Sequence, residues 1–157
     1  LGGGLLPVSA FCAREEVMGV FRPGDHGSTF GGNPLGATVG LAALELLERE
    51  GLCERALHLG ERLMGGLRAL RHPALRQVRG RGLLVGVEID PAFAHARTVC
   101  EALMREGVLS KDTHDTVVRF APPLTVSAAQ IDEAVQALGR ALAAVEAGQR
   151  RPGRKVA

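Results

Sequence analysis

The sequence has no tryptophan and no tyrosine, and its aromatic fraction is only 3%. So few rings argue against the stacked-aromatic platforms that read single-stranded nucleic acids. Lysine is almost as scarce, present only at Lys111 and Lys155. Cysteine occurs at Cys12, Cys53 and Cys100. An odd count with no CxxC spacing indicates neither a disulfide framework nor a zinc site. Each cysteine lies inside an apolar pattern, and all three are expected as buried thiols in a reducing cytoplasm. No apolar run is long enough to cross a membrane, and no signal-peptide pattern precedes the first apolar stretch. The histidines at 26, 58, 72, 95 and 114 show no HxxxH or HExxH spacing. No carboxylate pair or Ser-His-Asp arrangement is supported by spacing either.

What is present suffices for a core: 46% of the 157 residues are hydrophobic. That length fits one domain, or one small domain with part of another. The formal net charge of +2 is misleading, because Arg150, Arg151, Arg154 and Lys155 all fall in the last ten residues. The body is therefore mildly acidic, and residues 148–157 read as a disordered, solvated basic tail rather than a nucleic-acid arm. The first residue is Leu1, not Met, so the chain is expected to begin inside a longer one.

The densest stretch runs from Arg22 to Gly36, RPGDHGSTFGGNPLG. Gly27, Gly31 and Gly32 permit tight turns and close approach to a ligand. Ser28 and Thr29 offer neutral donors for an anion. Asn33-Pro34 then opens a helix, Asn as cap and Pro in the first turn. A ligand-binding loop explains this composition better than a plain connection.

Around this loop, an apolar run over 5–12 reads as a strand, with Pro7 at an edge or bend. A short helix is expected within 14–20. The helix from Pro34 to about Glu50 should bury Leu35, Val39, Ala42 and Leu46, flanked by Ala43 and Leu47. A second helix, from about Leu52 to Leu70, should turn Cys53, Ala56, Leu57, Leu63, Met64, Leu67 and Leu70 inward. LLVGVEI within 82–90 reads as a buried strand. A third helix follows Pro91, with Phe93, Ala96, Val99, Cys100, Leu103 and Met104 inward. Residues 108–110 and 116–120 read as two more strands. Ser127 and Gln130 form a capping box for a last helix. Such alternation indicates α/β or α+β layers.

Several glycine patterns are turns rather than sites. Gly80, Gly82 and Gly86 have the wrong spacing for a dinucleotide fingerprint, and Gly27-Ser28-Thr29 lacks a P-loop lysine. Arg119 is different. It lies among Val117, Val118 and Phe120, just before Ala121-Pro122-Pro123. It is a structural salt bridge, an edge residue facing water, or a fork gripping a substrate carboxylate through two parallel hydrogen bonds.

GDHGSTFGGNPLG, VRGRGLLVGVEI and RFAPPL, in that order, resemble the class III pyridoxal-phosphate aminotransferases over about residues 1–146. PGDHGST, SKDTH and VVRFAPPL favour the ornithine branch of that family. Its acetylornithine and 4-aminobutyrate branches are close competitors. The resemblance implies an α/β protein of fold type I. Residues 1–52 would end the large pyridoxal 5'-phosphate domain, 53–147 would form the small C-terminal α+β domain, and 148–157 would be the tail. It further implies a cytoplasmic homodimer with active sites at the subunit interface. Ser28 and Thr29 would reach the cofactor phosphate of the neighbouring subunit, and Arg119 would bind the carboxylate of the oxo acid.

The reaction implied is transfer of the δ-amino group of ornithine to 2-oxoglutarate. Its partners are then a small amino acid and a 2-oxo acid, with neither nucleic acid nor membrane. The family's Schiff-base lysine corresponds to a position two residues before Leu1, so this chain alone is expected to be inactive. The alternative is a lysine-free binding or dimerisation module. Phe30 stands where the family commonly has tyrosine.

Overall fold

A computed structural model describes residues 1–149, which divide into a unit Leu1–Leu52 and a second unit from Cys53 onward. In the first unit, α1 (Glu15–Met18) is a single turn and α2 (Pro34–Arg49) is the one long element. The Asn33 side chain accepts the Gly36 N–H at 2.7 Å, and its amide donates to the Phe30 carbonyl at 2.7 Å. One residue thereby caps the helix and ties down the loop leading into it.

Two expectations for this unit fail. Residues 5–12 form no strand; hydropathy can nominate a strand, but only a neighbour can supply its ladder, and none is found among the described residues of this unit. The covered face of α2 carries Gly36, Val39, Gly40, Ala43 and Leu47, while Leu35, Ala42 and Leu46 are exposed. The stripe is rotated because chain packs on the two glycines: a Cβ built at Gly40 would lie 3.4 Å from Val8 Cγ1.

The second unit opens with α3 (Leu52–Ala69). Its inward residues are Leu59, Leu63 and Leu67, with Ala56, Met64 and Leu70 beside them. Cys53 and Leu57 face solvent, contrary to expectation. Next come β1 (Leu75–Arg81) and β2 (Leu84–Ile89), joined by a tight turn in which Gly82 has φ +54°. Gly60 of α3 lies against the Gly82 carbonyl so closely that any side chain there would collide with backbone. Helix and hairpin are thus locked in register by two glycines.

The helix after Pro91 is α4 (Ala96–Arg105), with Val99, Cys100 and Leu103 buried; Met104, expected inside, is 56% exposed. β3 (Lys111–Thr113) and β4 (Val117–Phe120) follow. Residues 108–110 are not a strand, and Leu109 is 84% exposed. The strand begins three residues later because pairing with β4, rather than hydropathy, sets its position. α5 (Ala128–Gln149) begins at the expected capping box: Gln130 N–H donates to Ser127 Oγ at 3.2 Å, and Ser127 N–H donates to Gln130 Oε1 at 2.9 Å.

The sheet runs β1-β2-β4-β3 and every pairing is antiparallel. Val85, Val87, Ile89, Val118 and Phe120 alternate inward and share one core with the apolar faces of α3, α4 and α5. Each such aliphatic side chain contributes about 1.5–3 kcal/mol by leaving water. The unit is thus an antiparallel sheet with helices on one face. Its other face carries the out-of-phase residues, Arg79, Gly86, Glu88 and Arg119 among them.

Candidate active-site residues

Ser28 and Thr29 belong to the first unit and Arg119 to the second. The loop bearing the hydroxyls is built from short-range turns. Arg22 N–H donates to Asp25 Oδ2 at 2.8 Å across Pro23-Gly24, where Gly24 has φ +96°. Ser28 Oγ accepts the Gly31 N–H at 3.1 Å, which leaves its own O–H free to donate outward. Thr29 is exposed and without a partner among the described residues. Beside the loop lies a shallow cleft of about 330 Å³ with Val8, Ser9, Ser28, Gly32 and Asn33 in its wall. Thr29 stands outside it. Neutral donors with unspent protons on an exposed, glycine-hinged loop fit a phosphate: they satisfy its oxygens without neutralising its charge.

Arg119 sits in β4, between β2 and β3. Its neighbours Val118 and Phe120 are buried, so the pleat alone turns Arg119 to the exposed face. Burial therefore does not explain the residue, and no salt bridge does. Arg76 pairs with Asp90 at 3.1 Å and Arg79 with Glu88 at 2.7 Å, whereas Arg119 has no carboxylate partner among the described residues. Of the three readings, a salt bridge is not met among the described residues. What is left is a guanidinium open to solvent, held on a strand whose back is packed into the core. The exit of that strand is pinned as well: Arg55 donates to the carbonyls of Leu124 at 3.3 Å and Val126 at 2.5 Å, just beyond Pro122-Pro123.

The groups with displaced pKa values lie away from these residues. Asp132 is held below the usual carboxylate range by hydrogen bonding to Arg62, and Asp90 by the Ala92 N–H. Burial pushes the Cys100 thiol up, the opposite of an activated nucleophile. Cys12 and Cys53 are exposed, against the expectation of three buried thiols. Among the described residues no cluster of His, Cys, Asp and Glu could hold a metal ion, and no helix is long and apolar enough to cross a membrane. Of the tail expected at 148–157, Gly148 and Gln149 are instead the last residues of α5, and the rest lies outside the described residues.

Sequence reasoning found Arg119 but not the residues opposite it. Gly86 and Lys111 face Arg119 across the two ladders of β4. No spacing along the chain links the three, since only antiparallel register brings them together.

Comparison with known proteins gives these sites a context. A family model, Aminotransferase class-III, matches residues 1–142. The ornithine aminotransferase of Bacillus subtilis is 51% identical over 142 residues, which is 90% of this chain and 35% of that protein. Among solved structures, ornithine aminotransferase from Toxoplasma gondii superposes with a TM-score of 0.77 at 39% identity, covering 87% of this chain and 33% of that one. Acetylornithine aminotransferase from Elizabethkingia anophelis superposes with a TM-score of 0.81, also at 39% identity, covering 91% and 37%. The chain thus spans about a third of the length of these relatives. It is a mixed α/β piece homologous to ornithine aminotransferases, and it belongs to the class III aminotransferase family.

Proposed function

We propose that this chain is the C-terminal portion of a cytoplasmic, pyridoxal-phosphate-dependent ornithine aminotransferase. The observation that carries the proposal is an identity of about half, over nine-tenths of the chain, with proteins of that name. The whole protein would move the δ-amino group of ornithine to 2-oxoglutarate, giving glutamate semialdehyde and glutamate. Residues 1–52 would close the large domain and residues 53–147 would form the small one. The active protein would be a homodimer with its sites at the subunit interface.

Bound pyridoxal phosphate would supply the electron sink that makes transamination possible. The residues of this chain hold and orient. Ser28 and Thr29 donate hydroxyl hydrogen bonds to the cofactor phosphate, from the neighbouring subunit's side of the interface. Arg119 receives the oxo-acid carboxylate in a two-pronged grip. The cofactor-anchoring lysine is assigned to the stretch preceding Leu1 in the whole protein, and the 157 residues alone should turn over nothing.

The closeness of the acetylornithine aminotransferase structure favours one second reading, in which the amino donor is acetylornithine. Both readings give Arg119 the same task, because the acceptor is shared.

In the full-length protein, Arg119→Ala should raise the KM for 2-oxoglutarate by roughly 10- to 100-fold, the loss of charge-assisted hydrogen bonds, while cofactor retention is unchanged. Thr29→Ala should do the reverse, weakening pyridoxal-phosphate retention with little change in oxo-acid KM. An unaltered 2-oxoglutarate KM in Arg119→Ala would remove that residue from the substrate site.

A further inference from the structure

Arg119 sits where its strand runs out. It makes the last rung of the β3–β4 ladder, opposite Lys111. In the β2–β4 ladder it is the last but one, and Phe120 opposite Val85 ends the pairing. Just beyond, Pro122 and Pro123 carry no N–H with which to extend either ladder. Terminal rungs are where a sheet opens first. How firmly Arg119 is held therefore depends on what restrains the chain past Phe120.

That restraint comes from α3. Arg55, on its first turn, donates Nε to the Leu124 carbonyl at 3.3 Å. Its Nη2 donates to the carbonyls of Thr125 at 3.5 Å and Val126 at 2.5 Å. Three successive carbonyls thus converge on one guanidinium. The Val126 N–H donates to the Pro123 carbonyl at 3.0 Å and closes the turn from within, while Arg55 holds the same turn from outside. Arg62 and Arg68, also on α3, are used differently. Arg62 grips the Asp132 side chain, and Arg68 reaches a single carbonyl, that of Val78, at 3.1 Å. Of the three, Arg55 binds a run of backbone, through charge-assisted hydrogen bonds that are stronger than neutral ones.

The chain between this clamp and Arg119 is short and stiff. It consists of Phe120, which is 4% exposed, then Ala121 and the two prolines, whose φ is fixed near −65°. A shift of the 124–126 turn is therefore passed on to the end of β4 rather than absorbed. We infer that Arg55 is a positioning residue for oxo-acid binding, aligning the Arg119 guanidinium by clamping the exit of β4. This rests on Arg119 being the oxo-acid site. Alignment matters because a two-pronged grip needs both hydrogen bonds in line at once. Phe120 keeps the back of the strand in the core with or without the clamp, so its loss misaligns Arg119 without unfolding the unit.

The test is steady-state kinetics on the full-length holoprotein with Arg55→Met, Arg55→Lys, Arg68→Met and Arg119→Ala, each with its melting temperature. Arg55→Met should raise the KM for 2-oxoglutarate about 3- to 10-fold, with the amino-donor KM and cofactor retention within about twofold of the parent. Arg55→Lys, which keeps the charge but not the fork, should fall between the two. Arg68→Met should lower the melting temperature without moving the oxo-acid KM. If Arg55→Met lowers the melting temperature and leaves that KM as it was, Arg55 serves stability alone and the inference falls. It falls too if the amino-donor KM rises equally, or if Arg68→Met raises the oxo-acid KM as much. Should Arg55→Met fail to fold, a parental oxo-acid KM in Arg55→Lys overturns the inference. If Arg119→Ala itself changes nothing, the underlying assignment of the oxo-acid site fails instead.

Discussion

The two units use their leucines in opposite ways. Up to residue 52 the buried positions are Gly2, Gly36, Gly40 and Leu52, while Leu35, Leu41, Leu44 and Leu46 of α2 stay exposed. From Cys53 onward, Leu63, Leu67, Leu103, Leu138 and Leu142 are almost wholly buried, in one core with the sheet valines. A side chain in the second unit is therefore positioned by that unit's own packing, as Arg119 is. Ser28 and Thr29 belong to a unit with little core of its own, so their placement must come from whatever covers α2. A row of exposed leucines on one helix is a surface that further protein can bury. Arg119 is held by the packing of its own unit, whereas the loop of Ser28 and Thr29 is not.

The sharpest way to break this contrast is to truncate one leucine in each unit. Leu138→Ala should cost about 2–5 kcal/mol in urea unfolding of the 157-residue chain, since a fully enclosed side chain leaves a cavity. Leu41→Ala, at a position 60% exposed, should cost less than about 0.5 kcal/mol. Equal losses would mean that the first unit holds a genuine core of its own. In the full-length protein the Leu41→Ala cost should grow if that face is covered there.

The same contrast explains what could be read from the sequence. The Ser127–Gln130 box, the Asn33 cap and the presence of strand β2 are legible because each depends on residues within a few positions. The run at 5–12 was misread as a strand because a strand is completed by its neighbour. β3 was placed at 108–110, where the apolar residues are, but β4 pairs with Lys111–Thr113. On α2 the glycines, not the leucines, marked the packed face, because close approach needs small residues. Arg119 was legible as an oddity, yet its place opposite Gly86 and Lys111 exists only in the register.

A smaller effect sharpens the comparison through helix caps. Asn33→Ala and Ser127→Ala each remove a side-chain acceptor from a helix start, worth about 1 kcal/mol. The consequences should differ. α5 is part of the core, so Ser127→Ala should lower the global unfolding midpoint. α2 makes little of a core, so Asn33→Ala should instead speed amide exchange at Gly36 and its neighbours and leave the midpoint in place. A midpoint shift in Asn33→Ala as large as that in Ser127→Ala would show that α2 unfolds with the rest.

The smallest effect concerns charge. Arg62 of α3 grips Asp132 of α5 with two hydrogen bonds, Nε to Oδ1 at 2.8 Å and Nη2 to Oδ2 at 2.6 Å. Both side chains are about half exposed, so screening keeps the contribution modest. Its sign is nevertheless definite. The hydrogen bond to Arg62 lowers the Asp132 pKa in the folded chain. The stabilisation is therefore complete above the unfolded value, near 3.9, and is lost as pH falls through the lower folded value. Melting temperatures of the parent and Asp132→Asn should differ by a constant amount above about pH 5 and draw together as pH falls from about 4 through the lower folded value. Among the described residues of the first unit there is no ion pair of this kind, so its amide exchange should ignore the substitution. A difference that does not narrow as pH falls below the unfolded value would mean that Asp132 contributes by packing rather than by its charge.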